Sequence, residues 1–140
     1  MAGIPRLADF GLSSIVEDVD TVRDANDSNG SSVRWSAPEL VSPTLGGTGP
    51  TVNSDIYSLA MVIVEAFTGE IPFPDFVDAQ VMTVVSKGGR PQKPPGCENL
   101  GLLPAVWKLT GECWNQNPDK RPDIASVLRR FQAIVSTGLY

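Results

Sequence analysis

Histidine is absent from the 140 residues, and basic side chains are few: 11 Lys and Arg stand against 16 Asp and Glu, for a net charge of −5. Without imidazole, neither Ser-His-Asp nor Cys-His catalysis can be assembled from these residues, and no zinc site that needs histidine. The acidic balance, with a sequence pI of about 4.6, argues against a phosphate-backbone binder, which would carry a basic face, so no nucleic-acid partner is expected. Cysteine is scarce as well. Cys97 and Cys113 are sixteen positions apart with no C-x-x-C spacing; they form either one disulfide or two reduced thiols, the simpler reading in a cytosolic protein. No long apolar run occurs. The most apolar stretch, residues 56–67, contains Ser58 and Glu65 and falls far short of the roughly 20 residues of a bilayer span. The opening residues lack the charged-then-apolar pattern of a secretory signal. Cytoplasmic location with no membrane partner is the expectation.

What is present suits a globular chain, since 41% of the residues are apolar and a chain of this length buries roughly 68% of its extended surface, enough for one core. Residues 5–8 read as a short extended run. Residues 13–32 turn polar, with five acids facing only Arg23, and are expected to form a loop that buries little. Residues 37–41 suit one helical turn. Asn53 or Ser54 is placed to cap a helix over 55–68, whose apolar side chains point around the whole cylinder, so the chain is expected to be built around one helix buried on all sides. Gly69 sits where a left-handed C-terminal cap belongs. A second helix is expected over 79–87, stopped by Gly88-Gly89, and Pro91, Pro94 and Pro95 make a stiff connector. A third, from Pro104 to about residue 115, sets Val106, Leu109, Thr110, Cys113 and Trp114 on one face. The last begins with Pro122 at its first position and aligns Ile124, Val127, Leu128, Phe131, Ile134 and Val135. The fold class expected is mainly α, a helical bundle around one central helix with little β.

Four landmarks follow in order: Asp9-Phe10-Gly11, Arg34-Trp35-Ser36-Ala37-Pro38-Glu39, Ser54-Asp55-Ile56-Tyr57-Ser58, and Cys113-Trp114 before Pro118-Asp119-Lys120-Arg121-Pro122. In this order and spacing they resemble the C-terminal lobe of a protein kinase domain. The Arg-Trp-x-Ala-Pro-Glu form resembles the tyrosine-kinase-like group of serine/threonine kinases. The resemblance implies a partial kinase domain over 1–135 with a tail over 136–140. It implies ATP-dependent phosphoryl transfer to protein serine or threonine in a complete parent, with Mg and ATP as cofactors and a protein substrate or regulatory protein as partner.

The same resemblance assigns roles residue by residue. Phosphoryl transfer needs a carboxylate that holds a divalent ion at the β- and γ-phosphates, and Asp9 takes that place, with Phe10 packing below it and Gly11 letting the backbone turn. Asp9, Phe10, Gly11, Ser32, Ala37, Pro38 and Glu39 mark the activation segment. Ser32 stands five residues before Ala37, where serine/threonine kinases place a threonine. Ser28, Ser31 and Ser32 are the candidate phosphorylation sites, since phosphate–arginine pairs order such loops. Glu39 and Arg121 are expected to pair beneath the substrate-binding loop. Asp55 suits a helix first turn through the helix dipole, and in the kinase fold it also accepts from the catalytic-loop backbone. Gly46-Gly47-Thr48-Gly49 follows no strand and reads as a flexible insertion rather than a phosphate cradle.

The glycine-rich phosphate loop, the paired lysine and the His-Arg-Asp-x-x-x-x-Asn loop do not occur in the 140 residues. No complete catalytic set is therefore expected, nor strong binding of ATP or Mg by these residues alone. The alternative is a non-catalytic, pseudokinase-like binding or regulatory module.

Overall fold

The computed structural model describes residues 33–42 and 49–137. Five helices follow in order: α1 (Pro38–Val41), α2 (Val52–Thr68), α3 (Asp78–Ser86), α4 (Pro104–Cys113) and α5 (Ile124–Thr137), with short 3-10 turns at Val33–Trp35, Cys97–Leu100 and Pro118–Lys120. No strand occurs among the described residues. The mainly helical class is therefore as the sequence indicates.

The start of α2 differs from expectation. Thr51, rather than Asn53 or Ser54, is the cap: its Oγ1 accepts from the Ser54 N–H at 3.1 Å, while Ser54 Oγ accepts from the Thr51 N–H at 2.9 Å. This reciprocal box satisfies two donors that a helix end otherwise leaves open. The helix therefore begins at Val52, three residues before the expected start at Asp55. Its end is as read, with Gly69 at φ +71° donating its N–H to Glu65 O.

Helix α2 is the centre of the core, but it is not covered on every side. Ile56, Tyr57, Ala60, Met61, Ile63 and Val64 are buried, whereas Asp55, Val62 and Ala66 form an exposed stripe and Val62 keeps 50% of its surface. The all-round apolar sequence gave no means of telling this stripe from the packed faces. Tyr57, Met61 and Val64 pack with Val81 and Val85 of α3, Leu109 and Cys113 of α4 and Val127 of α5. Ile63 joins Cys97, Leu102 and Val106 in a second cluster. Leu59, Trp107, Phe131 and Ile134 border both clusters. Trp107 meets Trp114 edge to face, with ring centroids 5.3 Å apart, a favoured aromatic arrangement.

Helix α5 also departs from expectation. Asp123 caps it, its Oδ1 accepting from the Ser126 N–H at 2.8 Å, and Pro122 precedes the cap instead of opening the helix. The carboxylate satisfies an orphan donor, which proline at that place cannot do. Of the six aligned apolar residues only Val127 is buried; Phe131 and Ile134 are half-buried, while Ile124, Leu128 and Val135 are exposed. Both cysteines are buried and free, so of the two readings the thiols hold. No described helix is long and apolar enough to cross a membrane.

Candidate functional site

Arg121 follows the Pro118–Lys120 turn with backbone in an extended conformation, and that geometry sends its side chain inward. The side chain has no exposed surface, and that of Glu39 has only 13%. Its guanidinium forks onto Glu39, Nη1 to Oε1 at 2.6 Å and Nη2 to Oε2 at 2.7 Å, across 82 positions of chain. Nη1 also donates to Asn53 O at 2.8 Å, and Nε donates to Asn115 O at 2.9 Å. One cation thus ties α1, the first turn of α2 and the end of α4 to the last turn before α5. The planar fork suits this task as no lysine could. Glu39 is delivered by α1, which opens with the buried Pro38 at its first position after buried Ala37. Burial pushes the Glu39 carboxyl up, but the Arg121 hydrogen bond, its own backbone N–H and the charges of Arg121 and Arg90 outweigh it, and it lies below the usual range.

Tyr57 lies next to this pair. The guanidinium carbons of Arg121 and Arg90 stand 5.2 Å and 5.1 Å from its ring centroid, within cation–π range. Arg90 is itself held by Trp114 O, Gly89 O and Gln116 Oε1 at 2.8, 2.7 and 2.7 Å. The Tyr57 hydroxyl is buried with no hydrogen-bond partner among the described residues. Burial raises its pKa to about 12 against the opposing pull of Arg90 and Arg121.

The segment before α1 is fastened at several points. Arg34 Nη1 donates to Pro72 O and Phe73 O at 3.0 and 2.7 Å, and Nη2 donates to Phe76 O at 2.6 Å and pairs with Asp78 at 2.9 Å. Trp35 Nε1 donates to Glu65 Oε2 at 3.0 Å, and Ser58 Oγ donates to Trp35 O at 2.9 Å. The Arg-Trp-x-Ala-Pro-Glu stretch is thereby clamped to α2 and to the loop ahead of α3.

The structure thus brings Ala37, Pro38, Glu39 and Arg121 together. Asp55 is exposed on the first turn of α2. Asp9, Phe10, Gly11, Ser28, Ser31 and Ser32 are outside the described residues, as is Gly46-Gly47-Thr48. Among the described residues no group of three or more His, Cys, Asp or Glu could hold a metal ion. The arrangement is a brace that fixes backbone; no nucleophile–base pair stands in it. The sequence carries no signal for the contacts of Tyr57 and Arg34, whereas Arg90, directly after Gly88-Gly89 and inside an apolar and proline-rich stretch, is in an unusual place for a cation.

The profile of the family described as protein tyrosine and serine/threonine kinase matches residues 2–131. The chain belongs to that family. Among curated relatives, Serine/threonine/tyrosine-protein kinase HT1 of Arabidopsis thaliana is 33% identical over 138 residues, covering 96% of this chain and 32% of that protein. A protein named Light-sensor Protein kinase, from Ceratodon purpureus, is 33% identical over 140 residues, covering 91% of this chain and 10% of its own length. The chain therefore spans about a third and a tenth of these two kinases. The kinase match embraces both partners of the brace, Glu39 and Arg121, which lie at opposite ends of the described part of it.

Proposed function

We propose that these residues form the helical lobe of an ATP-dependent protein kinase that phosphorylates serine or threonine, and that the 140 residues alone transfer no phosphate. The observation that carries the reading is the forked Glu39–Arg121 pair, which joins the Ala-Pro-Glu landmark to the Arg-Pro landmark across 82 positions. A brace of this kind holds the chain ahead of α1 against the helices, giving a protein substrate a fixed floor; preorganisation of this sort is what a transfer reaction needs from parts that do no chemistry themselves. Mg and ATP supply the charge neutralisation and the phosphoryl group in the complete enzyme. The metal role is assigned to Asp9 by the resemblance of Asp9-Phe10-Gly11 to the family's metal-binding landmark. Inactivity of the 140 residues rests on their lack of histidine, hence of the His-Arg-Asp loop, and on the lack of the phosphate loop. These groups act together, so the loss of several is not made good by those that stay.

The test has two arms. The purified chain, incubated with Mg, labelled ATP and a serine peptide, is expected to transfer no label; transfer would overturn the second half of the proposal. A chimera placing residues 2–131 in the matching part of an active relative is expected to label serine or threonine peptides. A folded, ATP-binding chimera that labels nothing, or only tyrosine, would overturn the first half.

A further inference from the structure

A groove of about 760 Å³ opens between the C-terminal end of α2, the loop that leads into α3 and the proline connector, within the range of built ligand sites. Its walls include Phe67, Ile71, Phe76, Val84, Pro91 and Pro94, and Ile71 and Phe76 keep 44% and 39% of their surface exposed. The loop wall is held open in one shape. Phe73 takes φ +57°, a left-handed conformation that a non-glycine residue keeps only when its surroundings impose it. Here Arg34 imposes it by donating to the carbonyls of Pro72, Phe73 and Phe76. The facing wall is stiffened by Pro91, Pro94 and Pro95, whose φ is fixed. A groove rigid before binding loses little freedom on binding.

The exposed charges that line the groove have one sign. Glu70 and Asp75 line it, both are exposed, and no ion pair engages either among the described residues. Arg90 also lines it, but its guanidinium is spent on Trp114 O, Gly89 O and Gln116, and lies over Tyr57. Apolar walls beside two exposed acids, which outnumber the one half-buried lining cation, complement an apolar side chain carried next to cations. We propose that this groove docks a short segment of a partner protein in which an apolar side chain is flanked by arginine or lysine. The site stands on the groove alone, whether or not the chain serves phosphoryl transfer.

Fluorescence anisotropy with the full chain tests it, using a short fluorescein-labelled peptide in which a leucine pair is flanked by arginines. Saturable binding is expected, weakened about tenfold or more by the Glu70→Lys/Asp75→Lys double variant, since rim charges turn from attraction to repulsion. Ile71→Asp is expected to weaken it comparably, and replacing the leucines with serine to abolish it. All three positions are exposed, so helix content by circular dichroism should not change. Asp119→Lys, away from the groove, controls for net charge and is expected to leave binding as it was. The proposal is overturned by absence of saturable binding, by equal binding of the serine peptide, by an Asp119→Lys loss equal to that of the Glu70→Lys/Asp75→Lys double variant, or by indifference to Ile71→Asp.

Discussion

Arg121 donates to four oxygens from a side chain with no exposed surface, so the cost of removing it exceeds that of removing Glu39. Breaking a buried pair at one partner costs roughly 3–5 kcal/mol. Arg121→Met is expected near the upper end, because Asn53 O and Asn115 O lose their donor too, and Glu39→Gln near or below the lower end. In urea titrations the double variant should lose less than the sum of the singles; additive losses would exclude coupling. The pH dependence has a definite sign. The folded pKa of Glu39 lies below its ordinary value of 4.5, so its contribution is present above that pH and is lost as pH falls through the folded value. Glu39→Gln should flatten the fall in stability below about pH 4.5. Tyr57 works the other way. Its pKa is raised from 10.0 to about 12, so its contribution is full below pH 10 and falls away between those values. Tyr57→Phe removes a buried hydroxyl that has no partner among the described residues, and should leave melting unchanged or raise stability by up to about 1 kcal/mol; above pH 10 it should stay folded where the parent weakens. The Glu39–Arg121 pairing was legible in the landmarks. Tyr57 and Arg90 were not, because a ring and a cation at unrelated positions meet only once α2 and the connector have packed.

At the scale of elements, the positions of helices could be read well and their exposed sides poorly. The Thr51–Ser54 box lies in the sequence as Thr-x-x-Ser and sets the start of α2, but the apolar run that begins at Ile56 draws the eye past it. For α5 the apolar residues cover a wider arc than the contact with α4 uses. Periodicity reports which side is apolar, not how much of it a neighbour covers. Glycines at element ends separate two kinds of constraint. Gly69 has φ +71° with open space where a Cβ would stand, so Gly69→Ala should cost only about 1 kcal/mol of conformational strain. At Gly89 a Cβ would overlap Val84 Cγ1 and stand 2.9 Å from Val84 O, and Val84 is packed against the core. Gly89→Ala should therefore lower the melting temperature more than Gly69→Ala; the reverse order would mean that the turn after α3 yields easily.

At the scale of the molecule, α2 touches both apolar clusters and should be the last element to open. Hydrogen exchange should be slowest at Met61, Val64 and their neighbours, and faster toward the C-terminal end of α5, where residues 135–137 are exposed. Fast exchange throughout α2 would show that the core does not hold. The protected amides should follow burial rather than hydropathy, so apolar Ile124 and Leu128 should lend α5 little. The Arg121 fork has a kinetic consequence. A contact that spans 82 positions closes a long loop, and the entropy of that closure is recovered only once the intervening helices are in place. The fork is thus expected to lock late, after the barrier to folding has been crossed. Loss of Arg121 should speed the escape from the native state while leaving the rate of reaching it nearly unchanged.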